Sequence, residues 1–145
     1  MGSWWKSRIQ LIYTSYFGNI KRILKENKNV EFFSIARKSP DFYKNENRFE
    51  LPILAPRYTW WKEWYDKFKD YPESKELVDF YKEKYNETVL KNLNPHSIVN
   101  TLYRISNGKD IILLCYETPE KFCHRKLVSD WFNNNGITCR EYKVV

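Results

Sequence analysis

The run Lys109-Asp110-Ile111-Ile112-Leu113-Leu114-Cys115-Tyr116-Glu117 constrains this chain more than any other stretch. From Ile111 to Cys115 apolar residues follow one another without alternation. That is the pattern of a central strand covered on both faces, not of one with a wet side. Such strands belong to parallel sheets, whose neighbours must be joined by crossover connections, usually helices.

The flanking segments supply those connections. "RIQLIYTSY" is β-rich and runs into the turn-like "FGN", so a strand is expected over about residues 8–14. "NIKRILKENK", with Ile20, Ile23 and Leu24 on one face, reads as a short helix, and "NVEFFSIA" as a second strand. An irregular connection with Pro40, Pro52 and Pro56 then covers residues 40–58, a length usually reserved for functional or poorly ordered loops.

Helical segments follow. "TWWKEWYDKF" sets Trp60, Trp61, Trp64, Tyr65 and Phe68 in one arc, and "PESKELVDFYKEKYNETVLKNL" opens on Pro72 and acidic residues. "NPHSIVNTLYRISNG" closes on Gly108. After the central strand, a helix is expected across "PEKFCHRKLVSDWFNNN", stopped by Gly136, and "ITCREYKV" reads as a terminal strand. The whole specifies one α/β domain over residues 1–145. Its sheet is small and mostly parallel, of about four strands, flanked by helices in Rossmann-like layers. Two domains would leave each half barely able to bury a core.

Charge and cysteine usage narrow the class. Lys and Arg number 25 against 18 Asp and Glu, a net charge of +7, which favours an anionic small molecule or nucleic acid as partner; the same lysines also serve solubility. Three cysteines, Cys115, Cys123 and Cys139, are an odd number spaced unlike a disulfide framework, and "MGSWWKSRIQ" has no apolar signal run, so a reducing, cytoplasmic setting is expected. No stretch approaches the roughly 18 apolar residues of a membrane span, and no membrane association is expected. With only four glycines, no Gly-rich phosphate loop and no G-x-S-x-G elbow, P-loop enzymes and dinucleotide-fold oxidoreductases fit poorly.

In open α/β sheets, ligands sit off the carboxyl ends of the strands. The segments there are "TSYFGN", "ARKSP" and "YETPEKFCHR". Cys123, near the expected helix start and between Lys121 and Arg125, is the candidate nucleophile; a half-buried structural thiol is the alternative. His124 falls on the buried stripe of Leu127, Val128, Trp131 and Phe132, so it should point inward, as a base or as a histidine that holds a loop carbonyl.

Arg37, Lys38 and Ser39, with Arg125 as a second arm, suit a phosphate or carboxylate. Ser15 and Tyr16 are candidate ligand contacts, and Glu117 the candidate general acid or base. Cys115, Cys123, His124, Cys139 and His96 include no C-x-x-C pair and no second His at ligand spacing, so neither metal nor cofactor is expected. The tryptophan-rich helix reads as core or lid packing, with base stacking as the alternative.

The segment "LLCYETPEKFCHRKLVSDWF", with the earlier "IYTSYFGN", "SIARKSPDFY" and "LAPRY", resembles the domain of unknown function 488 family, in its branch with an "ILLCYE...FCHR" signature. The resemblance runs from about Ile12 to Tyr142 and implies an α/β fold with a site built from Arg37, Cys123, His124 and Arg125. Where better-known members carry D-x-R after the second strand, this chain reads Ile35-Ala36-Arg37, which leaves Glu117 as the nearest substitute for the acid. Two functions are expected of such a site. One is a small enzyme with a thiol-centred, arginine-lined site for a phosphate-bearing substrate such as a nucleotide or nucleic-acid component. The other is a non-catalytic nucleotide- or nucleic-acid-binding protein that uses the same cleft or the basic surface.

Overall fold

In the computed structural model, which describes residues 10–145, the apolar run of the sequence is strand β4 (Asp110–Cys115), and every residue of it is buried. β4 lies between β1 (Ile12–Tyr16) and β2 (Val30–Ser34), with Ile12 opposite Ile111 and Val30 opposite Asp110. β5 (Cys139–Glu141) pairs with β1, and the two-residue β3 (Phe49–Glu50) pairs with β2. The order is β3-β2-β4-β1-β5, and every pairing is parallel. The sheet thus has five strands, one more than expected, because β3 is too short to leave a periodic signal.

The pleat of β4 divides the core in two. Ile112 and Leu114 join Phe32, Ile20, Ile23 and Tyr43 on the face covered by α1 (Ile20–Glu26) and α2 (Asp41–Lys44). Ile111, Leu113 and Cys115 join the other face, under α3 (Tyr58–Phe68), α4 (Lys75–Thr88), α5 (Pro95–Ser106) and α6 (His124–Asn134). Burying each such aliphatic side chain fully is worth roughly 1.5–3 kcal/mol, which is why this strand holds the layers together.

Local chemistry sets the helix ends. Ser74 caps α4 by accepting the Leu77 N–H, and Asn94 accepts those of His96 and Ser97 ahead of Pro95 at the start of α5. Asn107, left-handed at φ 51°, ends α5 one residue before the expected Gly108.

Two expectations are corrected. Strand β1 starts at Ile12 and extends to Tyr16, so "TSY" is mostly strand; the expected start at Arg8 lies outside the described residues. The last helix begins at His124, not near Pro119. Thr118 to Phe122 form a turn, closed by the Lys121 N–H on the Thr118 carbonyl, and Cys123 is the extended residue before the helix. The 40–58 connection is also more ordered than its prolines suggest. It carries α2, β3 and a 3-10 turn at Pro52–Leu54, and the Tyr85 hydroxyl donates to the buried Leu54 carbonyl at 2.6 Å.

Candidate functional site

A cleft of about 900 Å³ opens off the carboxyl ends of β2 and β4. Ala36, Arg37 and Lys38 reach it from the loop after β2, and Cys115, Tyr116 and Glu117 from the loop after β4. Its far wall is the aromatic face of α3, with Trp61, Trp64, Tyr65 and Phe68, completed by Tyr81 of α4. The α3 arc therefore divides its labour. Trp60 and Trp64 are buried and their indole N–H groups are engaged, by Thr88 Oγ1 at 2.9 Å and the Leu77 carbonyl at 2.8 Å. Trp61 and Tyr65 stack on each other, ring centroids 5.1 Å apart, along the open side.

Cys123 and His124 form the floor. His124 is buried, and its Nε2 lies 2.7 Å from the Ile35 carbonyl, which can only accept, so that nitrogen carries the proton. The lone pair of Nδ1 then faces Cys123 Sγ at 3.9 Å. Burial, reinforced by the neighbouring Arg125, lowers the His124 pKa to about 4 against the pull of the Ile35 hydrogen bond, and the ring is neutral at pH 7. The structure joins Cys123 to Cys115 as a disulfide, a pairing that the odd cysteine count concealed. The ligand atoms of Cys115, Cys123 and His124 all lie within 4.8 Å of one another, and all three residues are buried. No C-x-x-C pair and no second His at ligand spacing marks these residues in the sequence; a strand end and a helix start bring the two cysteines together from eight residues apart.

Arg125 has no exposure, and its guanidinium is fully engaged within the protein. Nε and Nη2 donate to Glu141 at 3.0 Å each, and Nη1 donates to the Glu117 carbonyl and to Cys115 Sγ, the latter at 3.2 Å. Arg37 is exposed instead: its guanidinium carbon sits 4.5 Å from the Trp61 ring centre and 4.9 Å from that of Tyr58. Lys38 is exposed beside it, while its carbonyl accepts the Tyr116 hydroxyl. Glu117 is half-buried on the cleft wall.

The remaining residues singled out in the sequence do not line the cleft. Ser39 is buried, donating to Ser34 Oγ or Glu50 Oε1, and Ser15 accepts from Asn19 Nδ2 at 3.1 Å. Tyr16 lies beneath Arg125, its ring centre 5.8 Å from the guanidinium carbon. Sequence reasoning missed Cys115 and Glu141. Cys115 looked like one more apolar strand residue, and Glu141 is an ordinary acid until the fold places it against Arg125.

A family model described as the Active DUF488-N3 subclade, DUF488-N3a, matches residues 18–136, which include the cleft residues from Ala36 to His124. No curated protein and no solved structure matches the chain. The match takes in both strand-end loops that build the cleft and most of the sheet, and the chain belongs to the DUF488-N3 family, in its active subclade.

Proposed function

We propose that the protein is an enzyme acting on a phosphate-bearing substrate such as a nucleotide or nucleic-acid component, with Cys123 as the reacting thiol. The observation that carries this reading is the position of Cys123. It lines the cleft floor, with the His124 lone pair turned towards it, below an aromatic wall against which Arg37 packs. An aromatic wall stacks a base, and Arg37 and Lys38 meet its phosphate. The family's designation as an active subclade supports turnover over binding alone.

The roles follow from the contacts. With the disulfide open, the Cys123 thiol points its proton at His124 Nδ1. A histidine with a pKa of about 4 holds a proton poorly at pH 7, so His124 orients the thiol, and Glu117 on the same wall is the proton carrier. Cys123 caps an eleven-residue helix, whose positive end favours the thiolate. Arg125, engaged by Glu141, positions the floor, while Arg37 and Lys38 take the anion.

A second reading, nucleic-acid binding without turnover, draws on the exposed rings of Tyr58, Tyr65 and Tyr71 and on the net charge of +7. One experiment separates the two. The reduced protein is incubated with a panel of nucleotides and short oligonucleotides while tryptophan fluorescence reports binding and chromatography reports products. Binding and product formation, with Cys123→Ser retaining only the binding, supports the enzyme. Binding without product across the panel favours the second reading, and an Arg37→Ala variant that binds as tightly as the parent overturns the cleft assignment.

A further inference from the structure

The floor of the cleft has the composition of a metal site. Two sulfurs and one imidazole nitrogen converge within 4.8 Å, all from buried residues. The imidazole is set for ligation, because Nε2–H is held by the Ile35 carbonyl at 2.7 Å and Nδ1 is left with its lone pair. Metal-ligating histidines use such a second hydrogen bond to fix tautomer and ring orientation. Arg125 donates to Cys115 Sγ at 3.2 Å, which supports a thiolate there, and its own charge is matched by Glu141. Two thiolates, a neutral imidazole and a dication sum to zero charge, the sum that suits a buried floor.

We propose that, once the Cys115–Cys123 disulfide is reduced, Cys115 Sγ, Cys123 Sγ and His124 Nδ1 bind one thiophilic divalent cation of the zinc type. Reduction adds two electrons and two protons to the sulfurs; a phosphine reductant supplies the electrons and leaves as its oxide with the oxygen of water. Ion binding then releases those two protons to solvent. A site with two sulfurs and one nitrogen selects zinc-like ions over magnesium or calcium. The fourth position faces the cleft, because all three ligand residues line it. The ion engages the sulfur that acts as the free thiol in the proposed reaction, so a loaded site has Cys123 masked. Ion binding is read without substrate and stands or falls independently of that reaction.

The test uses the full chain, reduced with a phosphine under anaerobic conditions and titrated with cobalt(II). One equivalent should give sulfur-to-cobalt charge-transfer bands and tetrahedral visible bands, both abolished by zinc. Zinc should also protect Cys123 from alkylation. Cys123→Ser and His124→Ala should weaken binding by at least the roughly 10–100-fold that loss of an outer-shell partner costs. The oxidised wild-type protein, which keeps the fold, should show no thiolate bands and guards against a variant that merely unfolds. The proposal is overturned if the reduced protein, with an unchanged circular dichroism spectrum, shows no thiolate-to-cobalt bands. It is also overturned if the oxidised protein binds cobalt equally well. Parallel nucleotide titrations of metal-free protein report on the cleft itself, so loss of one result leaves the other readable.

Discussion

Arg125 and Glu141 form a two-pronged ion pair, Nε to Oε1 and Nη2 to Oε2, each at 3.0 Å, with the arginine wholly buried and the glutamate side chain 26% exposed. The pair ties α6 to β5 at the edge of the floor. Removing one partner of a buried pair leaves the other charge uncompensated, and the partial exposure of Glu141 softens that loss. Glu141→Gln should therefore cost about 2–4 kcal/mol in urea unfolding. A loss under about 0.5 kcal/mol, the range of an ordinary surface change, would refute the structural role given to the pair.

The three thiols should react in a set order after reduction. Cys123 and Cys115 both line the cleft, but Cys123 is 7% exposed against 1% for Cys115 and should alkylate first. Cys139 should stay inert at neutral pH, since burial pushes its thiol up to about 11. The guanidinium of Arg125 touches Cys115 Sγ and not Cys123, so Arg125→Lys should slow Cys115 more than Cys123. Peptide mass spectrometry across pH 6 to 9 reads all three rates. Equal rates for Cys123 and Cys139 would remove the case for a reactive floor.

Acid should weaken the fold through His124. Its folded-state pKa is about 4 against an ordinary 6.5, so between these values the unfolded chain binds the proton and the folded chain does not. The stability this group contributes is fully present above about pH 6.5 and is lost as the pH falls towards 4, by on the order of 3 kcal/mol. His124→Gln should flatten the stability profile in that window, as measured by urea midpoints. An unchanged slope would place the acid sensitivity elsewhere.

Tyr85 pins the proline-containing connection. Its hydroxyl, on a fully buried ring, is held by the Leu54 carbonyl. Tyr85→Phe leaves that carbonyl without this partner and should cost about 1–3 kcal/mol. Amide exchange should rise over residues 51–57 before it rises in β4. Uniform loss of protection would mean that the connection is not held locally.

Much of this architecture was written in local patterns. Ile111 to Cys115 announced a doubly covered strand because nothing in it tolerates water, and Ile20, Ile23 and Leu24 marked a helix face through their period. His124 was placed inward by its position on the stripe of Val128 and Phe132, which are buried with it. What local pattern could not carry was convergence. The start of α6 depends on the extended backbone of Cys123, where the residues before it looked equally helical. The engagement of Arg125 depends on Glu141, sixteen residues away on another element, and the neighbour of Cys123 is a strand residue whose burial made it look inert.

The order of the strands also governs when this protein can exist at all. β1 and β2 do not pair with each other; each pairs with β4, which arrives only at residues 110–115. A nascent chain halted before that point holds two apolar strands with no central partner, and the pairings of β4 with β1 and β2 are distant in sequence. Such topologies fold slowly and expose unpaired edges while they wait. Truncations that end before Asp110 should therefore aggregate rather than fold.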